Sequence, residues 1–291
     1  SNARVTGSIE GISFSSRFVR FNTRMPLYAI CDLQYASLTI PDPHTQDWFL
    51  VSGPGPLAVI LVTYVYFCLS AGPRYMKDKK PYELRRTMIV YNFVQVLFSI
   101  YLFYEGLMAG WLHDYNYSCQ PVDYSDSPKS IRVPFLTELL DTVFFVLRKK
   151  SRQISTLHVY HHTLMPVCAW IGIKFLPNGH GTFLGLINAF IHIIMYLYYM
   201  LSSMGPHMNK FLWWKRYITM LQLIQFGMIF IHTIQLFFNG CNYPRPIAYL
   251  LLLNATIFIY MFGSFYVENY RKRQRTQIKN ELLNLKLSII F

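Results

Sequence analysis

Seven apolar stretches, separated by short polar links, restrict this chain more than any other feature of its sequence. A helix needs about 20 apolar residues to cross the hydrocarbon core of a bilayer, and most of the stretches reach that length. The third is too short, because its fifteen residues span only about 22 Å. The pattern predicts an all-α polytopic membrane protein with about seven transmembrane helices, the third of them truncated. The stretches cover residues 57–71, 88–112, 133–147, 157–176, 182–204, 212–238 and 247–267.

The composition agrees with a membrane protein. Only 14% of the 291 residues are charged and 53% are hydrophobic, whereas soluble domains average about 25% charged residues. The net charge is +13. In a membrane protein such an excess is expected in loops on the cytoplasmic side, so we do not expect nucleic acid as a partner.

The positions of the basic residues predict the orientation. With seven crossings, eighteen Lys and Arg residues fall in the links and tail on one side of the membrane, and four fall in the links on the other side. Basic loops face the cytosol, so we expect the N-terminus outside and the C-terminus in the cytosol. We divide the chain into a poorly defined N-terminal segment (1–45), a seven-helix transmembrane domain (46–268) and a basic cytosolic tail (269–291), and find no signal-peptide pattern.

Two of the five cysteines, Cys119 and Cys241, lie in links that this topology places on the oxidising side. Cysteines in an oxidising compartment pair readily. The sequence therefore predicts a disulfide between them, with two free thiols as the alternative.

Polar side chains recur at one depth in four of the predicted helices. Ionisable groups inside a bilayer are costly and usually functional, whereas a Gln or Asn also serves as an interhelical hydrogen-bonding group and a Tyr as part of an aromatic belt. Because four such stripes lie at one level, we predict a pocket that opens to the cytosol. The stripes comprise Glu138 and Asp141; His158, His161 and His162; Asn188, His192, Tyr196 and Tyr199; and Gln222 and Gln225.

Two chemistries could use the histidines of "LHVYHH" (157–162). Neutral imidazole binds iron or zinc, and it also accepts an acyl group as a nucleophile. Membrane di-iron enzymes need about eight histidines in three clusters, and this chain has one cluster plus His192. Acyl transfer is favoured, with a di-iron desaturase or hydroxylase as the alternative and a seven-helix receptor or transporter third.

Four motifs, "LHVYHH", "TELLDTVFFVLRKK", "NAFIHIIMYLYY" and "TMLQLIQ", resemble the signature motifs of the very-long-chain fatty acid elongases. The resemblance extends over about residues 47–272 and is strongest to animal members. It implies a multi-pass enzyme of the endoplasmic reticulum membrane that condenses a long acyl-CoA with malonyl-CoA to 3-oxoacyl-CoA, CO₂ and CoA. It implies no metal or other cofactor.

The resemblance also implies roles for residues of this chain. His161 is expected to be the nucleophile, with His158 and His162 beside it. His192 would bind an oxyanion or transfer a proton, and Glu138 and Asp141 would orient the imidazoles. The expected substrate-binding residues are Asn188, Tyr196, Tyr199, Gln222 and Gln225, with Lys149, Lys150, Arg152, Lys215 and Arg216 for the CoA phosphates. The expected partners are acyl-CoA and malonyl-CoA, the lipid bilayer, the reductases and dehydratase of the elongation cycle, and a second copy of the chain.

The third helix departs from the family pattern. Phe135 occupies the position of a lysine three residues before Glu138, and Pro134 stands where helix should continue. Two interpretations remain open. Either the helix is thinned or re-entrant around an intact site, or part of it is missing and activity is lost.

Overall fold

The computed structural model describes residues 49–122, 135–176 and 178–271. The predictions for residues 1–45, and for the tail beyond 271, lie outside the described residues. Seven helices and two separate 3-10 turns, at Ser151–Gln153 and Pro206–Phe211, follow one another within the described part, so the all-α class is confirmed. The helices are α1 (Pro54–Met76), α2 (Arg85–Trp111), α3 (a 3-10 turn at Phe135–Glu138 continued as Leu139–Leu147), α4 (Thr156–Phe175), α5 (Thr182–Ser203), α6 (Lys215–Phe238) and α7 (Arg245–Arg271).

Five of these helices, α1, α2, α5, α6 and α7, are long and apolar enough to cross a membrane. The described part of α3 is only 13 residues long, or about 20 Å. Three histidines lower the hydropathy of α4, although its 20 residues are long enough to cross. The chain is therefore a polytopic membrane protein, and the count of seven crossings stays a prediction.

Helix α1 extends further than its predicted bounds of 57–71. Pro54 occupies the first turn, where its missing N–H costs nothing. A π-helical turn at Phe67–Ala71, in which the Gly72 N–H bonds to the Phe67 carbonyl, then carries the helix past Pro73 to Met76. A wider turn relieves the clash between a proline ring and the preceding turn, so Gly72 and Pro73 do not end the helix.

The helices alternate in direction, and contacts between their connecting segments define two ends of the bundle. At one end, called here the disulfide end, Cys119 and Cys241 form a disulfide with a Cα–Cα distance of 5.5 Å. The Lys174 Nζ donates to the Val51 carbonyl at the same end. At the other end, called the basic end, the Tyr82 N–H bonds to the Leu147 carbonyl at 3.1 Å. Alternation of this kind fits the predicted antiparallel arrangement.

Two buried histidines support the disulfide end. The rings of His180 and His232 stack in parallel with centroids 3.7 Å apart, and His180 Nε2 lies 2.8 Å from the His232 carbonyl. The His180 N–H bonds to the Gln120 carbonyl at 2.9 Å, which ties the α4–α5 turn to the segment that carries Cys119. Burial lowers the pKa of His180. The sequence offered no role for His180 and a packing role for His232.

Candidate active site

A hydrogen-bonded chain of three side chains lies at the centre of the bundle. His192 Nδ1 lies 2.8 Å from Glu138 Oε1, and His192 Nε2 lies 3.3 Å from Asn188 Nδ2. The side chain of Glu138 is only 17% exposed and that of His192 is 8% exposed. An N–H at Nδ1 donates to the carboxylate, so Nε2 keeps a lone pair that accepts from the amide. These hydrogen bonds join α3 to α5 and hold the His192 imidazole beside the buried Glu138 carboxylate.

The histidine cluster, His158, His161 and His162, lies in the first turns of α4. The helix begins there because Ser155 Oγ caps it and accepts the His158 N–H. Spacing of three and four residues puts all three rings on one face. The His158 and His162 rings have centroids 4.1 Å apart, and the His161 ring lies 6.5 Å from that of His192.

The three cluster histidines differ in their partners. His158 Nε2 lies 2.8 Å from the Thr142 hydroxyl. Within the described residues the His161 ring packs against His162, His192 and Phe258, and no hydrogen bond to it is formed. His161 is therefore a cluster imidazole without a protein hydrogen bond among the described residues, and its role as the nucleophile stays a prediction.

Asp141 lies one turn after Glu138 and is bonded by a tyrosine. The Tyr196 hydroxyl donates to Asp141 Oδ2 at 2.8 Å, and Tyr196 is fully buried. The Tyr91 ring lies edge-on to Tyr196, and its hydroxyl donates to the Thr137 carbonyl, the residue before Glu138. These bonds hold the start of α3 against α2 and α5. The hydroxyl of Tyr196 thus already has a hydrogen-bond partner in the protein, the Asp141 carboxylate. Its role in substrate binding stays a prediction.

Sequence reasoning missed Tyr91, Thr142 and Tyr64. Thr142 lies four residues after Glu138 and next to Asp141, so its position on the helix was a usable signal. Tyr64 Oη lies 2.6 Å from Thr142 Oγ1. Its contact with the site crosses from α1, and no periodicity of α1 could have shown it.

An elongated cavity of about 190 Å³ begins at the Glu138–His192–Asn188 chain. It runs between α2, α4, α5 and α7, and its wall there is apolar, with Leu102, Met165 and Leu251 among its residues. Its far end lies at Asn178, Gly181 and Tyr243, close to the disulfide end. Along α5, the ten residues from Thr182 to His192 correspond to about 15 Å. The cavity can hold an apolar chain of about this length with its polar end beside His192.

The two predicted glutamines lie elsewhere. Gln222 Nε2 approaches the Met195 sulfur at 3.9 Å, and Gln225 is buried on α6. As far as the described residues form it, the cavity wall includes Asn188 and neither glutamine. Tyr199 packs on the rings of Tyr196 and Tyr198, one turn beyond the carboxylates.

The predicted CoA-binding cations gather at the basic end. Lys149 Nζ donates to the Lys77 carbonyl at 3.0 Å, and Arg216 donates to the Tyr217 hydroxyl at 2.6 Å. Lys150, Arg152 and Lys215 are exposed. All five cations therefore lie outside the cavity, at the same end of the bundle as the first turn of α4.

The alternative prediction, a di-iron enzyme, requires a set of side chains that converge on a metal ion. In the described part of the chain, no three His, Cys, Asp or Glu side chains converge as a ligand set. The cluster rings face one another instead, and His158 Nε2 and both nitrogens of His192 have protein partners. The di-iron reading is not favoured.

Comparison with known proteins identifies the family of this chain. Residues 49–278 match the ELO profile, the GNS1/SUR4 family. The chain belongs to this family. It is 48% identical over 244 residues to a very long chain fatty acid elongase of Aedes aegypti, covering 80% of this chain and 68% of the relative. It is 50% identical over 242 residues to very long chain fatty acid elongase 7 of Drosophila melanogaster, covering 80% and 74%.

Similarity extends to mammalian members of the family. The chain is 44% identical over 258 residues to very long chain fatty acid elongase 1 of Homo sapiens, covering 85% of this chain and 92% of the relative. The resemblance inferred from the four motifs is thus confirmed.

Proposed function

We propose that this protein is the condensing enzyme of fatty acid elongation, joining a long-chain acyl-CoA to malonyl-CoA to give 3-oxoacyl-CoA, CO₂ and CoA. The family and the named elongases among its relatives support this proposal. The observation that carries it is the apolar cavity that begins at the buried Glu138–His192–Asn188 chain.

The first half-reaction transfers the acyl group to His161. A neutral imidazole nitrogen attacks the thioester carbonyl, the carbon–sulfur bond breaks, and an acyl-imidazole forms. The imidazole proton passes to the CoA thiolate, so the products are acyl-His161 and CoA–SH. His192 would relay this proton after its Nε2 exchanges the Asn188 amide for the reacting groups between the two rings, whose centroids lie 6.5 Å apart, and Glu138 would stabilise the positive charge on it.

The second half-reaction uses malonyl-CoA. Loss of CO₂ leaves a carbanion at the terminal carbon of acetyl-CoA, which attacks the acyl carbon on His161. The carbon–nitrogen bond breaks, the imidazole regains a proton from the Glu138–His192 pair, the pair takes up one proton from solvent, and 3-oxoacyl-CoA leaves. A site largely shielded from water would favour this sequence, because an acyl-imidazole and a carbanion both react with water.

The substrate would lie across the site with its two ends in different environments. The acyl tail would fill the apolar cavity towards Tyr243, and Asn188 would lie near the reacting carbonyl. The CoA phosphates would lie at the basic end, near Lys150, Arg152 and Lys215. We place the protein in the endoplasmic reticulum membrane with its N-terminus lumenal and its C-terminus cytosolic, working with the reductases and dehydratase of the cycle.

A single-turnover assay tests this function. Purified protein is incubated with acyl-CoA and radiolabelled malonyl-CoA, and 3-oxoacyl-CoA is separated from the substrates. We expect labelled product from the wild type and at least a hundredfold less from His161→Ala, as expected for loss of a nucleophile. Product formation that is unchanged in His161→Ala would remove this residue from the mechanism.

A further inference from the structure

We propose that a hydrogen-bonded chain from Tyr64 through Thr142 to His158 positions the histidine cluster, so that α1 supports the active site from outside the cavity. In the described residues, the cavity wall takes side chains from α2, α3, α4, α5 and α7 and none from α1. Tyr64 and Thr142 are therefore positioning residues, which act through His158. The proposal rests on the condensing function for its kinetic test and on geometry for its chemical test.

The hydrogen-bonded chain joins three helices through two short contacts. Tyr64 Oη of α1 lies 2.6 Å from Thr142 Oγ1 of α3, and the same oxygen lies 2.8 Å from His158 Nε2 of α4. Thr142 is fully buried and Tyr64 is 7% exposed. Buried hydroxyls keep their partners because an unpaired one is costly. One threonine hydroxyl thus joins α1 to the first turn of α4.

The number of protons on each hydroxyl group limits which residue donates and which accepts along these hydrogen bonds. A hydroxyl carries one proton, so Thr142 donates to one neighbour and accepts from the other. Either oxygen of the Tyr64–Thr142 contact can donate, and we assign Tyr64 as the donor because a phenol is the more acidic hydroxyl. In this assignment Thr142 donates to Nε2 of His158, and Nε2 is the unprotonated nitrogen. The chain fixes the tautomer of His158 and occupies the nitrogen that would otherwise be free to react.

The effect passes to the other histidines through ring contacts. The His158 ring lies 4.1 Å from that of His162 and 5.2 Å from that of Phe145. His162 in turn lies 5.4 Å from His161. A His158 ring held from α1 therefore limits the positions open to His162 and His161. Catalysis is sensitive to displacements of this size, because the reacting nitrogen must meet the thioester carbon at a set distance.

Histidine modification tests the geometry without using activity. Diethyl pyrocarbonate reacts with unprotonated imidazole nitrogens, and peptide mass spectrometry reports the rate at each histidine. In Thr142→Val, which keeps the shape and removes the hydroxyl, Nε2 of His158 loses its donor. We expect His158 to react about fivefold faster or more, relative to His161 in the same peptide. Thr142→Ser restores the hydroxyl and should return the ratio to that of the wild type.

Kinetics test the consequence for catalysis. We expect Thr142→Val to lower kcat about tenfold or more, with KM for acyl-CoA changed less than about threefold, because the cavity is intact. Tyr64→Phe should lower kcat by a smaller factor, and the double variant should be no slower than Thr142→Val alone. Such non-additivity marks residues that act through one chain. Thr142→Ser should recover most of the activity.

Two substitutions at exposed positions serve as controls. Tyr66→Phe removes a hydroxyl from the same helix, and Thr256→Val removes one from α7. Both should leave the modification ratio and kcat unchanged. An unchanged His158 ratio in Thr142→Val and Tyr64→Phe would overturn the proposal, as would kcat losses that simply multiply. If the wild type makes no 3-oxoacyl-CoA, the proposed function fails, and the modification ratios alone decide the inference.

Discussion

Glu138 Oε1 lies 2.8 Å from His192 Nδ1, in a part of the bundle that is largely shielded from solvent. The two residues are 54 positions apart in the chain and lie on different helices, α3 and α5. A carboxylate in this position raises the ability of the imidazole to take up and return a proton. The pair forms within the described part of α3, which starts with a 3-10 turn at Phe135–Glu138.

Replacing the carboxylate should therefore slow catalysis. Glu138→Gln keeps the shape and a hydrogen-bond acceptor but cannot stabilise a positive charge on His192. We expect kcat to fall about a hundredfold, as is typical for loss of acid–base assistance, with a small change in KM. Steady-state kinetics measure the effect, and Glu83→Gln at the exposed basic end is the matched control. Equal kcat in both variants would contradict the role of Glu138.

The position of Tyr243 at the end of the cavity predicts that its substitution changes the acyl chain length that the enzyme prefers. Tyr243 lies at the far end of the cavity wall and is buried. Tyr243→Ala should extend the cavity, and the longest product should grow by one or more two-carbon units.

Assays with saturated acyl-CoAs of increasing length measure the limit. Tyr249→Ala, at an exposed position on α7, should leave it unchanged. An active Tyr243→Ala variant with the wild-type length limit would mean that the acyl tail does not reach this end.

The disulfide predicts a loss of stability on reduction. Cys119 and Cys241 are 122 positions apart, and a cross-link that closes so long a loop stabilises a fold by about 2–5 kcal/mol. The double variant Cys119→Ser/Cys241→Ser should unfold at a lower temperature in detergent than the wild type. Reductant should lower the midpoint of the wild type and leave that of the double variant unaltered; an effect of similar size on both would contradict the assignment.

Acidification should weaken the disulfide end. Burial lowers the pKa of His180, so the folded protein keeps it neutral while the unfolded chain binds a proton near pH 6.5. The stability that His180 contributes is present above about pH 6.5 and is lost as the pH falls towards the lowered folded pKa.

Thermal unfolding between pH 7.5 and about 5.5 measures this loss. The midpoint should fall more in the wild type than in His180→Gln, while His207→Gln, at an exposed position, should follow the wild type. Parallel pH profiles for the wild type and His180→Gln would show that protonation of His180 is not the cause.

The sequence predicted those features of the fold that depend on local patterns. Apolar length predicted helices, and spacing put His158, His161 and His162 on one face. Loop position predicted the partnership of Cys119 with Cys241, which the structure joins.

Other features depend on how helices rotate against one another. The pairing of Glu138 with His192, rather than with a cluster histidine, is set by the packing of α3 on α5. Tyr64 reaches the site from a helix whose polar residues show no pattern, and the π turn before Pro73 depends on a backbone register that composition does not encode. Gln222 and Gln225 do not line the described cavity, because a shared depth on two helices does not imply a shared wall, and their role in substrate binding stays a prediction.

The most direct test of the account is the intact mass of the protein after exposure to a long-chain acyl-CoA without malonyl-CoA. We predict a mass increase equal to one acyl group, located by peptide sequencing on His161, absent in His161→Ala, present in Thr256→Val, and lost when malonyl-CoA is added. An adduct that persists in His161→Ala, or a wild-type protein that turns over without any acyl adduct, would contradict the account.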